Sequence, residues 1–214
     1  MPYPRRDCNR LVAPISSACE PGPCLAARLG SRYKPPALQP NAAMPTTPEE
    51  LLAYLTDLGI AHATIEHPPL FTVEESQALR GPLPGGHAKN LFVKDKKGRL
   101  FLLVAEEDAA IDLKHVHKVI GATGRVSFCS AELLEEVLGV RPGSVTPFGA
   151  INDREGRVTL VLEAGLMAHQ RLNFHPLVNT ATTGLASDDL VAFLRSTGHE
   201  PQIVAFAEEK SSRG

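Results

Sequence analysis

The pair Lys89-Asn90 combines a cation and an amide at a place where both could meet a substrate. It follows two glycines and opens an apolar run, residues 91–93, that is typical of a buried strand. A fixed cation in a partly dry pocket polarises a carbonyl group and stabilises an oxyanion, which suits hydrolysis of an activated ester. Because side chains alternate along a strand, Lys89 shares a face with Leu91, and Asn90 faces the other side. The pattern leaves two alternatives for Lys89: a pocket cation, or a side chain extending outward from the strand end.

Two further segments could contribute to such a site. The segment 139–149 is rich in turn residues, and its Pro142-Gly143 pair can present successive backbone N–H groups to an anion or a carbonyl. An ordinary surface turn explains this loop equally well. His175 precedes a proline in an extended segment, where a single histidine can be either structural or catalytic.

Other chemistries have less support in the sequence. No GxSxG elbow is present, and Ser144 lies in a loop without the strand–turn–helix context of a serine nucleophile. His115 and His117 are two positions apart, so they cannot chelate one ion from the same face of a helix. The glycines after residue 138 lack phosphate-loop spacing. Cys129 and the three earlier cysteines match no zinc pattern and imply no disulfide framework.

Composition indicates a globular domain with an appended N-terminal segment. The chain has 214 residues, 43% of them hydrophobic and 21% charged, and no apolar run approaches the ~18 residues of a membrane span. Residues 1–43 hold eight prolines and a charge of +4, which predicts a disordered or non-native extension, with an organellar transit peptide as the alternative. Residues 44–214 hold 16 basic and 22 acidic residues, a balance of −6. We therefore expect a cytoplasmic protein with no DNA or membrane partner.

Capping signals and periodicity predict the elements that position these residues. Helices are expected at 47–59, 71–81, 109–122, 130–139 and 187–198. Strands are expected at 61–66, 91–93, 100–104, 125–129, 157–165, 173–185 and 201–206. The second and third strands should form a hairpin around Gly98. The predicted fold is α/β, with a mixed six- to seven-stranded sheet and flanking helices.

Four segments occur in an order that resembles the YbaK/prolyl-tRNA synthetase-associated domain family. They are PPLFTVEES, GGHAKNLFVKDKKGRLFLL, GVRPGSVTPFG and NFHPLVNTATTGL followed by DLVAFLRSTGHEP. The resemblance covers about residues 46–207 and is strongest to the free-standing Ala-tRNA(Pro) deacylases of the ProX/PrdX type. Its most specific part is the Lys-Asn pair before a hairpin, combined with the Gly-x-x-Pro-Gly loop. Residues 44–214 are then expected to be an aminoacyl-tRNA deacylase, or editing, domain.

This resemblance implies hydrolysis of a mischarged aminoacyl ester at the acceptor end of tRNA, without a metal or organic cofactor. An editing site is needed because a hydrophobic synthetase pocket rejects a smaller amino acid poorly. The resemblance makes Lys89 the catalytic residue, which holds the substrate and stabilises its carbonyl. The implied substrate-binding residues are Phe71, Thr72, Asn90, Gly139, Pro142, Gly143, Ser144 and His175.

Several alternatives stay open at the level of sequence. The enzyme could remove another small product, such as the amino acid of Cys-tRNA(Pro), or the domain could bind aminoacyl-tRNA without turnover. Prolyl-tRNA synthetase or another translation protein is a further candidate partner. Because the body is acidic, tRNA contact should be local. A cationic patch for it, unless these residues form only a solvated turn, would consist of Lys94, Lys96, Lys97 and Arg99.

Overall fold

The computed structural model describes residues 44–69 and 84–206. The predicted N-terminal extension and the predicted helix 71–81 lie outside these ranges, so both stay predictions. All described residues fall within one compact unit of the chain.

The first helix begins where its capping signals predict. Helix α1 spans Pro48–Asp57, and the hydroxyl of Thr47 accepts the N–H of Glu50. The Glu50 carboxylate in turn accepts the N–H of Thr47, at 2.8 Å, which completes a capping box. Strand β1, His62–Glu66, follows the helix as expected.

The predicted hairpin is present and provides the two central strands. Strand β2 spans Gly86–Lys94 and pairs antiparallel with β3, Leu100–Glu106. Gly98 adopts a φ of 78° in the connecting turn, a conformation that favours glycine. The buried Asp95 carboxylate accepts the Arg99 N–H at 3.0 Å and so holds the turn closed.

Shorter elements complete the chain. They are β4 (Ser127–Phe128), α2 (Ala131–Leu138), β5 (Val158–Glu163), α3 (Ala164–Met167), β6 (Arg171–Phe174), β7 (Ala181–Ala186), α4 (Ser187–Ser196) and β8 (Gln202–Val204). Two 3-10 turns, Val116–Lys118 and Pro147–Ile151, lie between them.

The described strands form one mixed sheet, in the order β1-β7-β6-β2-β3-β5-β8, with β4 added to the free side of β2. The pairs β2–β6, β3–β5 and β5–β8 are parallel, and the other pairs are antiparallel. The mixed α/β fold is therefore confirmed. The sheet has eight strands where six or seven were expected, because the segment 173–185 forms two strands joined by a turn at Leu177, whose φ is 67°.

Strand β3 is buried on both faces, which fixes the hairpin within the domain. Its alternate residues enter two separate cores. The core shared with α1, α2 and α4 contains Leu100, Leu102 and Val104. The other core contains Phe101, Leu103 and Ala105, packed with Val116 and Ile120. Neighbouring residues of β2 consequently face different surroundings.

The helix predicted at 109–122 is wrong, since only the 3-10 turn Val116–Lys118 forms there. The Asp112 side chain instead accepts the Lys114 N–H at 2.9 Å and contacts Nδ1 of His115 at 2.6 Å. Such local bonds from aspartate compete with continuous helix. The β-branched residues of this segment add little helix propensity to oppose them.

Candidate active site

A small cavity opens where β2 diverges from β6. Strand β6 pairs with β2 only at Gly86 and His87, whereas β4 pairs with it only at Val93 and Lys94. No described strand pairs with the intervening part of β2 on this side. The gap holds a cavity of about 50 Å³, enough for a small group. Among the described residues, its lining includes His87, Ala88, Asn90, Glu107, Asn173, Phe174, His175 and Thr182.

Gly85 allows β2 and β6 to meet at the edge of this cavity. Its φ is 115°, in the region that favours glycine. A Cβ at this position would collide with the backbone oxygen of Arg171, which precedes the paired part of β6. The first glycine before the Lys-Asn pair is therefore a packing requirement at the site.

Asn90 lines the cavity and faces away from the Lys89 side, and its role in substrate binding stays a prediction. Its Nδ2 donates a hydrogen bond of 2.9 Å to the backbone oxygen of Val145. Its Oδ1 is buried and has no hydrogen-bond partner among the described residues. A buried acceptor left in this state destabilises a protein unless a ligand or water satisfies it.

Lys89 is not part of the cavity lining. Its Nζ donates to the backbone oxygen of Glu107 at 3.0 Å and to that of Ala109. The side chain lies on the face of β2 that carries Leu91 and Val93, as strand alternation predicts. Glu107, whose backbone oxygen accepts one of the Lys89 hydrogen bonds, is one of the lining residues, so Lys89 contacts the cavity through Glu107 and not directly.

The loop that follows α2 is anchored at both ends. Gly139 caps α2 with a φ of 65°, and a Cβ there would lie 2.5 Å from Nδ2 of Asn152. That Nδ2 donates to the Leu138 oxygen at 2.9 Å. At the other end, the bond from Asn90 to the Val145 oxygen ties the loop to β2. Gly139 thus has a structural role, and the loop is held beside the cavity.

The middle of this loop is exposed and does not line the cavity. Pro142 and Gly143 are exposed, and a Cβ on Gly143 would lie 3.9 Å from Nδ2 of Asn179, in the turn between β6 and β7. Ser144 is buried, and its N–H donates to the Arg141 oxygen at 2.9 Å. The predicted loop residues therefore lie near the site without forming its wall.

His175 lines the cavity opposite β2. Its Nδ1 lies 3.0 Å from the Ala181 oxygen, and since a carbonyl only accepts, Nδ1 carries the hydrogen. Burial lowers the pKa of His175 below its usual value, although the Ala181 bond partly offsets this, so the ring is neutral at pH 7. The neutral ring keeps a lone pair on Nε2. His175 can therefore accept a hydrogen bond from a ligand.

Most of the lining was missed at the sequence level, namely His87, Ala88, Glu107, Asn173, Phe174 and Thr182, and so was His67 beside Thr182. Thr182 lines the cavity, and its Oγ1 lies 2.9 Å from Nε2 of His67. The rings of His67 and His175 are also close, with centroids 6.1 Å apart. His67 and Thr182 meet because β1 pairs with β7, at Glu66↔Ala181. No local sequence pattern predicts this contact, because His67 and Thr182 are 115 residues apart in the chain.

Two predicted binding residues, Phe71 and Thr72, lie outside the described residues. Within 44–69 and 84–206, no three His, Cys, Asp or Glu side chains are grouped as metal ligands. None of the helices in these ranges has the length and apolar character needed to cross a membrane.

Comparison with known proteins identifies the family of this chain and agrees with its fold. The family model described as "Aminoacyl-tRNA editing domain" matches residues 67–193, more than half of the chain. This range contains every described residue of the cavity lining. A solved structure described as a candidate trans-editing enzyme for prolyl tRNA synthetase has a TM-score of 0.59 at 19% identity, covering 76% of this chain and 98% of its own. That likeness shows the fold.

Relatives found by sequence have a higher identity to this chain than that solved structure has. Prolyl-tRNA synthetase associated domain-containing protein 1 of Xenopus laevis is 40% identical over 162 residues, which cover 74% of this chain and 96% of that protein. The prolyl-tRNA editing protein ProX of Acetoanaerobium sticklandii is 36% identical over 152 residues, covering 71% of this chain and 92% of ProX. The chain therefore belongs to the aminoacyl-tRNA editing domain family, as its sequence motifs indicated.

Proposed function

We propose that this protein is a trans-editing hydrolase that cleaves the ester of mischarged tRNA(Pro), and that alanine is the amino acid it removes. The observation that carries the proposal is one small cavity lined by Asn90 and His175, in a chain of the editing family. The name of the related ProX supports tRNA(Pro) as the carrier.

The size of the cavity supports a small amino acid. A cavity of about 50 Å³ has room for a small side chain such as the methyl group of alanine. A synthetase pocket shaped for proline rejects alanine poorly, because a smaller side chain fits inside it. A second site that admits only the smaller product corrects this error.

We propose that Lys89 contributes to catalysis through its positive charge. Its Nζ lies 3.0 Å from the backbone oxygen of Glu107, which lines the cavity. A cation held at this wall stabilises negative charge that develops on the ester carbonyl oxygen during attack by water. The two carbonyl groups that bind Nζ fix its position, so little reorganisation is needed when that charge forms.

The loop after α2 is assigned to the tRNA terminus. Its exposed Pro142-Gly143 turn projects beside the cavity, and its anchoring by Asn90 limits its motion. Backbone N–H groups of such a turn suit a phosphate or a ribose oxygen. We assign Gly139 and Ser144 to holding the loop, and Pro142 and Gly143 to contact with the terminal adenosine.

Deacylation of Ala-tRNA(Pro), Pro-tRNA(Pro) and Cys-tRNA(Pro) by wild type and by Lys89→Ala tests the proposal. We expect wild type to hydrolyse the alanyl ester selectively. We expect Lys89→Ala to lose about 10-fold in rate, which is less than the loss of a donor in direct contact with the oxyanion, because Lys89 acts from outside the cavity lining. Lys114→Ala, which removes an exposed lysine elsewhere, is the matched control.

The other outcomes separate the competing functions. Hydrolysis of none of the three esters would favour an aminoacyl-tRNA-binding module without turnover. Faster hydrolysis of the cysteinyl ester would keep the enzyme and replace alanine with cysteine. Full activity in Lys89→Ala would keep the enzyme and remove Lys89 from the mechanism.

A further inference from the structure

The position of the Lys89 ammonium depends on the turn 106–109, which follows β3. Both hydrogen bonds that Nζ makes to described residues end on this turn, at the backbone oxygens of Glu107 and Ala109. A lysine side chain has a flexible four-carbon stem, so fixed acceptors are needed to hold its charge in one place. Whatever holds the turn therefore also holds the cation.

The turn is closed by its own backbone and anchored by one carboxylate. The Ala109 N–H donates to the Glu106 oxygen at 3.0 Å. The Glu107 N–H donates to the His87 oxygen at 2.9 Å, which ties the turn to β2. The Glu106 N–H donates to Oε2 of Glu163 at 2.6 Å. Glu163 is the last residue of β5, so its side chain continues the contact between β3 and β5 beyond their last backbone pair.

The side chain of Glu106 adds a second anchor. Its Oε1 lies 2.7 Å from Nε2 of His169, and because a carboxylate only accepts, Nε2 carries the hydrogen. The His169 ring packs on the first residue of β2, since a Cβ at Gly86 would lie 2.9 Å from Cδ2 of the ring. The second glycine before the Lys-Asn pair is therefore required by His169. The ring holds Glu106 against the strand that carries Lys89.

The exposure of this pair argues against a role in stability alone. The side chains of His169 and Glu106 are 38% and 43% exposed. Ion pairs at such exposure add little to stability, because solvent screens them and both side chains lose conformational freedom. The pair acts mainly on geometry, since it joins the start of β2 to the turn that holds Lys89.

We infer that Glu106 and His169 are positioning residues for the Lys89 ammonium, and that they act through the turn 106–109. Neither residue belongs to the described cavity lining, and both lie outside the four segments that carry the family resemblance. This inference rests on the proposed function, because Lys89 is the residue through which the pair affects hydrolysis.

Single-turnover hydrolysis of Ala-tRNA(Pro) by Glu106→Ala and Glu106→Gln tests the inference. Glu106→Ala removes the acceptor of His169, so we expect the maximal rate to fall about 3-fold, less than for loss of Lys89 itself. Glu106→Gln keeps an oxygen that can accept from His169, and its rate should stay within about 2-fold of wild type. The matched control is Glu200→Ala, which removes a carboxylate from another exposed ion pair, with Arg195 at 2.6 Å, and should leave the maximal rate unchanged.

Combination with Lys89→Ala separates positioning from a merely structural role. Lys89→Ala removes the group through which the pair acts, so Glu106→Ala should cause no further loss in that background. His169→Phe keeps a ring over Gly86 and removes the donor. It should show the same fall in rate and the same dependence on Lys89.

The Nζ chemical shift of Lys89, measured by NMR, reports its hydrogen bonds without any enzymatic activity. Its signal is assigned by its absence in Lys89→Ala. We expect Glu106→Ala and His169→Phe to move this shift toward that of an exposed lysine such as Lys114. Glu106→Gln should leave it in place.

The outcomes distinguish this inference from the function on which it rests. If the Nζ shift is unchanged in Glu106→Ala, the pair does not position Lys89, and the inference is wrong whatever the enzyme hydrolyses. An equal loss of rate from Glu106→Ala with and without Lys89 would show a structural role and would also overturn it. If the shift moves but Lys89→Ala is fully active, the positioning stands and the catalytic role proposed for Lys89 fails. If wild type hydrolyses no ester, the proposed function fails, and the Nζ shift alone decides the inference.

Discussion

Among single residues, Asn90 connects the cavity to the loop after α2, because its amide bonds the Val145 oxygen at 2.9 Å. Asn90→Asp keeps an acceptor but removes this donor, and a carboxylate oxygen would then face a carbonyl oxygen. We expect kcat/KM for Ala-tRNA(Pro) to fall about 10- to 100-fold, which corresponds to one lost buried hydrogen bond. Backbone hydrogen exchange at residues 144–146 should accelerate as the loop loosens.

The matched control is Asn173→Asp, another buried asparagine of the cavity lining, whose Nδ2 bonds the Pro84 oxygen and not the loop. It should leave exchange at residues 144–146 unchanged. Slow exchange at these residues in Asn90→Asp would show that the loop does not depend on Asn90.

Single-residue predictions succeeded where a local rule governs them. Strand alternation predicted that Lys89 and Asn90 face opposite sides, and both do. The same rule could not say which side holds the cavity, because that depends on where β6 diverges from β2. His67 and Thr182 depend on the pairing of β1 with β7, which a single sequence does not encode locally.

At the scale of elements, a buried carboxylate joins the turns before β5 and β8. Asp153 Oδ2 lies 3.1 Å from Nε2 of His199 and accepts the Val158 N–H at 2.7 Å. Asp153→Asn places an amide against these donors, so we expect the free energy of unfolding to fall by about 1–3 kcal/mol. Urea denaturation at pH 7 measures the change, with the exposed Asp108→Asn as control.

The pKa of the Asp153 carboxylate predicts how the difference in free energy of unfolding between wild type and Asp153→Asn depends on pH. Burial raises the pKa of Asp153, but the hydrogen bond from His199 and the N–H groups of Arg157 and Val158 lower it below its usual value overall. A lowered pKa in the folded state stabilises the fold above the unfolded pKa of about 4, and this stabilisation is lost as the pH falls through the folded value. The difference between wild type and Asp153→Asn should therefore shrink below about pH 4. A difference that stays constant down to pH 2 would contradict this assignment.

Elements with strong end signals were predictable, and those without them were not. Thr47 and Ser130 cap α1 and α2 as expected, and Gly139 ends α2. The segment 109–122 looked helical by composition, yet Asp112 bonds locally and the chain forms only a 3-10 turn. Competition of the Asp112 side chain for backbone groups explains why that segment does not form a continuous helix.

For the whole molecule, the class of fold followed from its mixture of hairpins and single helices, but the strand order did not. Strands β3, β5 and β8 lie side by side in parallel, although other elements separate them along the chain. Packing of β3 between two cores selects this order. The cavity depends on that order, so its lining could be predicted only through the family resemblance.

The hairpin tip and the cavity lie at opposite ends of β2, and we propose that one tRNA end contacts both. Lys94 is four residues from Asn90, about 13 Å along the strand, a distance that an acceptor stem spans. Arg99 contributes little to a tRNA patch, since its guanidinium bonds Asp95 at 2.9 Å. We therefore propose a tRNA-binding patch made of the exposed lysines Lys94, Lys96 and Lys97.

Charge reversal at this patch tests its role in the whole complex. Lys96→Glu combined with Lys97→Glu should weaken binding of Ala-tRNA(Pro) and reduce the slope of log affinity against log salt by up to about 2. Hydrolysis of alanyl-adenosine, which lacks the stem, should be unchanged because it needs only the cavity. Lys114→Glu combined with Lys118→Glu gives the same change of charge on another exposed loop. Because that control alters net charge equally, an equal effect from both pairs would show a general electrostatic response, and the patch would have no specific part in binding.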